Sequence, residues 1–266
     1  MDALDPHKQE GTRIEVTDGA LLPIKGKRQI VDSWRITFAL AIVGIAAMVF
    51  IAKDPFDQIF RVVIKGVPIT FGVTFFSIAG SIFLGLFAGL GQISTLRAIN
   101  LLTGVYVELI RGIPLLVQLI FIYFALGKWF HIEGMIAAVI ALSICYGAYM
   151  GEIFRAGIQS IPKGQMEAAL ALGLTRGQAM RLIILPQAMK IILPAIGNEF
   201  IAMLKDSSLV SVIALRDILR RGREHVARTF DSLETYAMVA LIYLVITLVL
   251  SKLVALIEDR MKRHER

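Results

Sequence analysis

Long apolar runs constrain this chain more than any other feature of its sequence. A membrane-spanning helix needs about 20 predominantly apolar residues, and six stretches approach or exceed that length. Hydrophobic residues make up 56% of the 266 positions, and the mean hydropathy is +0.71. The sequence therefore predicts an all-α integral membrane protein with about six transmembrane helices. The six runs are 36–52, 67–91, 99–126, 134–156, 187–204 and 236–257.

The net charge of +7 would also fit a nucleic-acid-binding protein, so the placement of the basic residues decides. They lie between and beside the apolar runs, without aromatic interleaving or a nucleic-acid motif, which is typical of topology signals. Cys145 is the only cysteine, no Cys/His metal-binding spacing occurs, and the four histidines fall in loops or tails. We expect neither a nucleic-acid partner nor a metal site.

Basic segments indicate which side of the membrane each end of a span occupies. Cytoplasmic segments are enriched in Lys and Arg, which places the tail 1–33, the loop 158–185 and the tail 259–266 in the cytoplasm. Six crossings satisfy all three. Residues 34–65 then hold an N-terminal span with its connection, and residues 66–258 hold the other five spans.

One segment disagrees with this count. Residues 205–234 carry six Lys and Arg residues, yet six spans place them outside the cell. Moving this segment inside would put the C-terminus outside, so we retain six spans.

The second span carries Ser77, Ser81, Gly85 and Gly89 at four-residue spacing. This spacing puts one small side chain per turn on a single helix face, where another helix can approach closely. The alternative is that Gly and Ser are simply common in membrane helices.

The polar stretch 160–186 predicts two short helices joined by a sharp turn. Pro162 suits the first turn of a helix over 163–172, and Gly173 can end it in the left-handed conformation. The tetrapeptide Thr175–Gln178 fits a capping box that starts the second helix. The small, mostly uncharged surface of the first helix suits docking into a groove of another protein. A helix lying on the membrane surface is the alternative, but it would need more basic residues.

These residues carry a family resemblance. Glu167-Ala168-Ala169, Gly173 and Leu185-Pro186 resemble the EAA motif of binding-protein-dependent ABC transporter permeases. The wider runs 161–188 and 106–118 are similar to the histidine/glutamine/glutamate-type branch, which handles polar amino acids. The resemblance covers roughly residues 65–258. The family core has five spans, so the run 36–52 is an additional one.

The resemblance implies a permease subunit of an importer that moves polar amino acids across the bacterial inner membrane, with both termini cytoplasmic. It also implies a second permease copy or paralogue, a dimer of cytoplasmic ATPase subunits and an external solute-binding protein, which the Arg-rich segment 205–234 could contact. That segment could equally be a solvated amphipathic helix. The loop would be the coupling helix on which the ATPases act, through Gly164, Gln165, Glu167, Ala168, Ala169 and Gly173.

ATP and Mg would be bound by the partner ATPase. This chain has no glycine-rich phosphate loop, since Gly26-Lys27 and Gly127-Lys128 lack the required glycine spacing and the following Ser or Thr. We therefore expect no cofactor, no catalytic residue and no enzymatic activity in this chain itself.

Charged residues inside membrane spans are costly and are functional candidates. Glu108 and Arg111 lie in the third run, and Glu152 and Arg155 lie at a comparable depth in the fourth. We hypothesise cross-pairs such as Arg111 with Glu152 that brace the two helices. Contact with the substrate is the alternative.

The fifth run is unusually polar and contains Pro186 and Pro194, which we expect to break its hydrogen bonding. Freed carbonyls are tolerated at membrane depth only where they line a water-filled path. Asn198, Glu199 and Lys205 are candidates for this path, because an amino acid needs one partner for its carboxylate and another for its ammonium. The charged pair could instead bind each other or neighbouring helices.

A secondary, ion-coupled amino acid transporter is the alternative function, but we identify no coupling-ion site or inverted repeat. A membrane enzyme would need catalytic groups at suitable spacing, and a scaffold would not need the polar fifth span. The sequence does not specify which amino acid is carried, or whether the permease pairs with itself.

Overall fold

The computed structural model describes residues 33–263, and every regular element in that range is a helix. Five helices are long and apolar enough to cross a membrane, and a sixth span is reached if one bent pair is taken together. The N-terminal tail predicted for residues 1–33 lies outside the described residues except for Ser33, and so do the last three residues of the basic C-terminal tail.

The elements follow one another with short connections. Helix α1 (Ser33–Ala46) widens into a π-helical end (Ala47–Ala52), and α2 (Phe56–Val63) leads through a 3-10 turn (Ile64–Gly66) into α3 (Val67–Gln92). Next come α4 (Arg97–Gly112), α5 (Leu115–Ile120) with a π-helical turn (Phe121–Leu126), α6 (Gly127–Phe130) and α7 (Gly134–Gln159). The remaining elements are α8 (Lys163–Ala171), α9 (Arg176–Ala179) with a π-helical turn (Met180–Ile184), α10 (Leu185–Asp206) with a 3-10 turn (Ser207–Ile213), α11 (Ile218–Thr229) and α12 (Ser232–Arg263).

Helices α3 and α7 form the centre of the bundle and run parallel. Near the start of α3, a Cβ on Gly72 would lie 3.5 Å from the Met135 side chain, and near its end a Cβ on Gly89 would lie 2.7 Å from Gly151 O. Small residues allow this approach, since packing in lipid depends on close van der Waals contact rather than on water exclusion. Both helices therefore start at one end of the bundle and finish at the other, where α8 follows α7.

The two ends of the described chain lie at the same end of the bundle as α8. The indole N–H of Trp34 donates to Leu248 O at 2.9 Å, so the start of α1 lies beside the last turns of α12. A Cβ on Gly197 of α10 would lie 2.8 Å from Val254, and one on Gly157 of α7 would lie 2.3 Å from Ile192 of α10. Because α7 ends where α8 begins, these contacts place the start of α1 and the end of α12 on the α8 side.

The third apolar run is not the single straight helix that the sequence predicts over 99–126. It consists of α4 and a second segment, Leu115–Phe130, which meet at an angle of 99°. Pro114 lies at the break and has an extended ψ of 137°, because proline cannot donate the hydrogen bond that would continue the helix. The expected span is therefore either a broken crossing or a re-entrant turn.

The fifth run is also different from the prediction. Pro194 lies inside α10, and the helix continues through it to Asp206. The expected second short helix towards Pro186 is not separate either, since Arg176–Ile213 forms one long apolar helical segment of 38 residues. A proline removes one helical hydrogen bond, and packing against α7 and α12 holds the helix together despite that loss.

Candidate functional site

The break between α4 and α5 is closed by one buried side chain. Gln118 is 7% exposed, and its amide Nε2 donates to Ile110 O and to Ile113 O, each at 2.8 Å. Both carbonyls lie at the interruption, where Ile110 O accepts only a long backbone bond of 3.4 Å from Ile113 N, so the amide supplements weakened helical hydrogen bonds. The bend is therefore a fixed feature whose geometry one glutamine specifies.

The main chain of this break lines a cavity of about 420 Å³ near the middle of the bundle. We call it the Glu199 cavity. Its volume lies within the roughly 300–1,000 Å³ of small-molecule sites. Residues at the break between α4 and α5 line it together with residues of α7 and α10. They are Arg111, Gly112, Ile113, Pro114, Leu115, Cys145, Tyr146, Tyr149, Glu199, Ala202 and Asp206.

The Glu199 cavity has one guanidinium and two carboxylates. Arg111 lies over the Tyr149 ring, with its Cζ 5.3 Å from the ring centroid, a cation–π contact that orients the side chain. In the same lining, Tyr146 Oη donates to Asp206 Oδ2 at 2.8 Å. The cavity thus contains both cationic and anionic groups and is large enough for a zwitterion.

A second cavity of about 430 Å³ lies towards the α8 end of the bundle, and we call it the Glu152 cavity. Arg111 lines both cavities and therefore separates them. All four residues for which the sequence predicts intramembrane ion pairs line the Glu152 cavity. Its lining is Gln92, Asn100, Gly104, Val107, Glu108, Arg111, Glu152, Arg155 and Gln159.

The hypothesised pair of Arg111 with Glu152 is a long contact, at 3.7 Å between Nη1 and Oε2. Glu152 has a closer partner in Arg155, whose Nη2 and Nε donate to its two carboxylate oxygens at 2.7 and 3.2 Å. Because Arg155 already neutralises Glu152, the Arg111 guanidinium keeps donors directed elsewhere. The structure places Glu108 in the same cavity but exposed.

Of the three residues predicted for a substrate path, Glu199 alone is part of the Glu199 cavity. Asn198 and Lys205 are exposed and lie outside its lining. Asn198 is one residue and Lys205 is six residues from Glu199, and side chains at these spacings lie on different faces of a helix. Both therefore point away from the direction of Glu199. The sequence did not lead us to predict Asp206, Tyr146 or Arg111 as part of this cavity. Asp206 could have been found from its spacing, since it lies two helical turns after Glu199 and therefore on the same helix face.

The loop after α7 has the turn that the sequence predicts. Gly173 has a φ of +84°, and its N–H and that of Leu174 donate to Leu170 O and Ala169 O, which closes the end of α8 as in a Schellman motif. Thr175 accepts from Gln178 N while the Gln178 side chain accepts from Thr175 N, so the predicted capping box is confirmed.

The predicted coupling residues lie on a protruding surface. Ala169 is 1% exposed and anchors α8 to the bundle, whereas Leu172 at its tip is 83% exposed. The other predicted residues, Gly164, Gln165, Glu167, Ala168 and Gly173, are exposed.

The predicted small-residue face lies against α7. All four residues are buried, and Ser143 Oγ donates across the interface to Ser77 O at 3.2 Å. A Cβ on Gly85 would lie 2.2 Å from Met150 Cβ, so no larger residue fits. Ser81 bonds within its own helix, to Ser77 O. This interface holds the α7 side chains that line both cavities.

Comparison with known proteins gives a consistent result. The model of the family "Binding-protein-dependent transport system inner membrane component" matches residues 81–263. The chain is 42% identical over 202 residues to the glutamine transport system permease protein GlnP of Escherichia coli (strain K12), covering 75% of this chain and 92% of that protein. It is 40% identical over 205 residues to the arginine transport system permease protein ArtQ of Bacillus subtilis (strain 168), covering 76% and 94%.

Solved structures of ABC transporters also superpose on this chain. A crystal structure of an amino acid ABC transporter with histidines superposes with a TM-score of 0.73 at 44% identity, covering 79% of this chain and 98% of that chain. An inward-facing MetNI methionine ABC transporter superposes with a TM-score of 0.63 at 21% identity, over 77% and 96%, and shares the fold.

Proposed function

Since this chain belongs to the family of binding-protein-dependent transport system inner membrane components, it is the permease subunit of an amino acid ABC importer, and we propose that its cargo is a polar amino acid that binds in the Glu199 cavity. The observation that carries the proposal is that Arg111, Glu199 and Asp206 line one cavity of about 420 Å³. A guanidinium suits an α-carboxylate, and carboxylates suit an α-ammonium.

In this mechanism the binding protein delivers the amino acid at the end of the bundle opposite α8. The cargo carboxylate then binds Arg111, and its ammonium binds Glu199 or Asp206. Arg111 also lines the Glu152 cavity, so a movement of its side chain towards Glu152 would release the carboxylate on the α8 side. The proposed route therefore passes from one cavity to the other at Arg111.

The energy for this movement would come from a dimer of ATPase subunits that bind ATP and Mg. We place α8 against them, with the exposed Gly164, Gln165, Glu167, Ala168 and Gly173 as the contact region and Leu172 as an apolar anchor. Ala169, predicted from the sequence as part of this contact, is 1% exposed and would instead hold α8 on the permease. This places α8, the start of α1 and the end of α12 on the cytoplasmic side. A second permease, identical or related, would complete the pathway.

The test is cargo binding to the purified permease–ATPase complex, measured by isothermal titration in the absence of the binding protein. Arg111→Gln should weaken binding of the preferred amino acid about 10- to 100-fold, because a charge-assisted hydrogen bond contributes roughly 1.5–3 kcal/mol. Arg97→Gln is the matched control, since Arg97 lies on the same helix but is exposed and outside the cavity. It should bind normally.

Glu199→Gln should weaken binding by a similar factor, whereas Glu108→Gln, which alters the other cavity, should not. Equal affinities in unaltered protein, Arg111→Gln and Glu199→Gln would place the cargo site elsewhere. Arginine, glutamine and histidine, each offered separately, would identify the preferred side chain.

A further inference from the structure

A strongly cationic pocket lies at the end of the bundle opposite α8. It has a volume of about 210 Å³ and receives basic side chains from three separate segments: Lys65 from the turn before α3, Arg216 from the connection before α11, and Arg221 and Arg228 from α11 itself. Glu224 and His225 complete its polar lining. The Glu199 cavity and α8 share no residue with it.

The cations in this pocket exceed the acids that could neutralise them. Glu224 is the only carboxylate of the lining, and it is already bonded to Arg216 Nε at 3.3 Å and to Arg220 Nε at 3.0 Å. Lys65, Arg221 and Arg228 line the same pocket, and none of them forms an ion pair with a carboxylate in residues 33–263. Like charges that share a pocket repel, and an anion bound among them relieves the repulsion.

Two buried polar atoms of the pocket also lack a partner. Arg221 Nε and His225 Nε2 make no hydrogen bond to any residue that the structure describes. The Nε–H of arginine can only donate, and a buried donor without an acceptor costs about 1–3 kcal/mol. An acceptor bound beside Arg221 Nε would satisfy this donor, and the net positive charge of the lining favours an anion in that position.

The depth of the pocket indicates the source of that anion. Helix α3 has 26 residues and is about 39 Å long at 1.5 Å per residue, which exceeds the roughly 30 Å hydrocarbon layer. Lys65, just before α3, therefore lies at the depth of the lipid headgroups. Phe230, two residues beyond Arg228, is 84% exposed and Leu233 is 81% exposed, so the turn between α11 and α12 presents apolar side chains at the same boundary.

We propose that this pocket binds the phosphate group of an anionic phospholipid headgroup from the leaflet opposite α8. Arginine guanidinium groups bind phosphate oxygens with paired N–H donors, and about 210 Å³ admits a phosphate but not a folded protein segment. Bound lipid accounts for an Arg-rich segment on the side of the membrane that normally carries fewer Lys and Arg residues. The inference does not depend on the identity of the transported cargo.

The experiment measures the unfolding temperature of the permease–ATPase complex in nanodiscs of phosphatidylcholine with increasing phosphatidylglycerol. Phosphatidylglycerol should raise Tm by roughly 5 °C in the unaltered complex, because a ligand of the folded state stabilises it. The double variant Arg221→Gln/Arg228→Gln should lose most of that rise. Arg223→Gln is the control, matched in charge to the single variant Arg228→Gln: each removes one positive charge from the same helix, but Arg223 is exposed and outside the pocket, and Arg223→Gln should keep the rise.

Three results would overturn the proposal. An equal loss in Arg223→Gln would mean that general surface charge, not the pocket, attracts the lipid. A rise of the same size on adding inorganic phosphate to pure phosphatidylcholine discs would assign the pocket to a free anion. A double variant that keeps the lipid response but loses stimulation by the loaded binding protein would assign the surface to protein docking. If the double variant fails to fold, Arg228→Gln alone provides the same comparison, since Arg228 is exposed.

Discussion

At the scale of single residues, one arginine connects the two cavities of this protein. Arg111 lies at the end of α4, directly before the break, and its guanidinium contacts the Tyr149 ring and the Glu152 carboxylate. Arg155 holds Glu152 much more closely. The result is a cation that is positioned but not fully engaged, which is what a reversible ligand for a carboxylate requires.

Gly85 is a residue whose size decides stability. A Cβ at this position would lie 2.2 Å from Met150 Cβ and 2.9 Å from the Met150 backbone. We expect Gly85→Ala to lower the free energy of unfolding by about 1–3 kcal/mol, since overpacking forces the two helices apart. Thermal unfolding in detergent measures the change, and Gly104→Ala is the control, because nothing lies within 4 Å of a Cβ there. Equal unfolding temperatures would contradict the close packing of α3 on α7.

The buried carboxyl group of Asp217 should make the free energy of unfolding depend on pH. Its side chain is fully buried and caps α11, accepting from the N–H groups of Arg220 and Leu219. Burial raises its pKa to about 6, although the capping N–H groups and the Tyr243 hydroxyl act in the opposite direction. Because the folded-state pKa is above the ordinary 3.8, the folded protein takes up a proton that the unfolded chain does not, and stability rises as the pH falls through about 6.

The expected gain from about pH 8 to about pH 5 is on the order of 1.4 kcal/mol. Chemical unfolding at the two pH values measures it, and Asp217→Asn should remove this component while keeping the cap, because asparagine is also a good N-cap. The same pH dependence in both proteins would show that other groups are responsible.

At the scale of elements, the bend between α4 and α5 positions the cargo site. Its main chain lines the Glu199 cavity, and Gln118 holds Ile110 O and Ile113 O together. A rigid bend keeps Arg111 at a constant distance from α10. The element therefore contributes through its shape as well as through its side chains.

Gln118→Leu should loosen this bend. The carbonyls of Ile110 and Ile113 lose the Gln118 donor, at a cost of at most about 1–3 kcal/mol for each group left unsatisfied, and we expect weaker cargo binding and a lower Tm together. Titration and thermal unfolding of the same preparation measure both. Val117→Leu, an apolar exchange at the neighbouring exposed position, should change neither, and a Gln118→Leu protein with normal affinity would remove the positioning role.

The turn between α8 and α9 is a second element with a separable role. Gly173 adopts a φ of +84°, which a residue with a Cβ adopts at a cost of roughly 1 kcal/mol. Gly173→Ala should therefore leave cargo binding unchanged but reduce ATPase stimulation by the loaded binding protein, since the contact surface of α8 is displaced. Gly177→Ala has open space around it and a helical backbone, lies outside the proposed contact region, and controls for the added methyl group.

At the scale of the whole molecule, α1 packs on the outside of the bundle. The indole of Trp34 donates to Leu248 O and receives the Lys252 ammonium 5.3 Å from its ring centroid. Further along, Ile45 and Met48 pack against a buried cluster formed by α2, α11 and α12. Helix α1 therefore braces the end of the bundle that carries the cationic pocket, but it supplies no residue to either cavity.

Deletion of residues 1–52 should consequently lower the Tm of the complex by several degrees, because the contacts of α1 with α2 and α12 are lost, including the Trp34 hydrogen bond. Cargo affinity should stay within about twofold, since none of residues 33–52 lines either cavity. Nanodisc unfolding and titration measure the two quantities. Loss of cargo binding at an unchanged Tm would instead give α1 a part in transport.

Local interactions were predictable from the sequence because neighbouring residues determine them. Apolar runs of sufficient length specify membrane helices whatever they pack against, and the capping box at Thr175 and the left-handed Gly173 depend on a few adjacent residues. Pro114 and Pro194 show the limit of such reasoning: both interrupt the same hydrogen-bond pattern, yet α10 continues through Pro194 whereas the chain bends by 99° beside Pro114.

Only the tertiary structure decided which charges meet. Arg111, Tyr146 and Asp206 come from α4, α7 and α10, and no local pattern states that their helices turn these faces towards one cavity. The same holds for Lys65 and Arg221, whose elements lie about 150 residues apart in the chain and meet because Gly66 allows close approach to Asp217 and Ile218. Helix formation is decided within a few turns, whereas a binding site is decided by packing between elements that are distant in sequence.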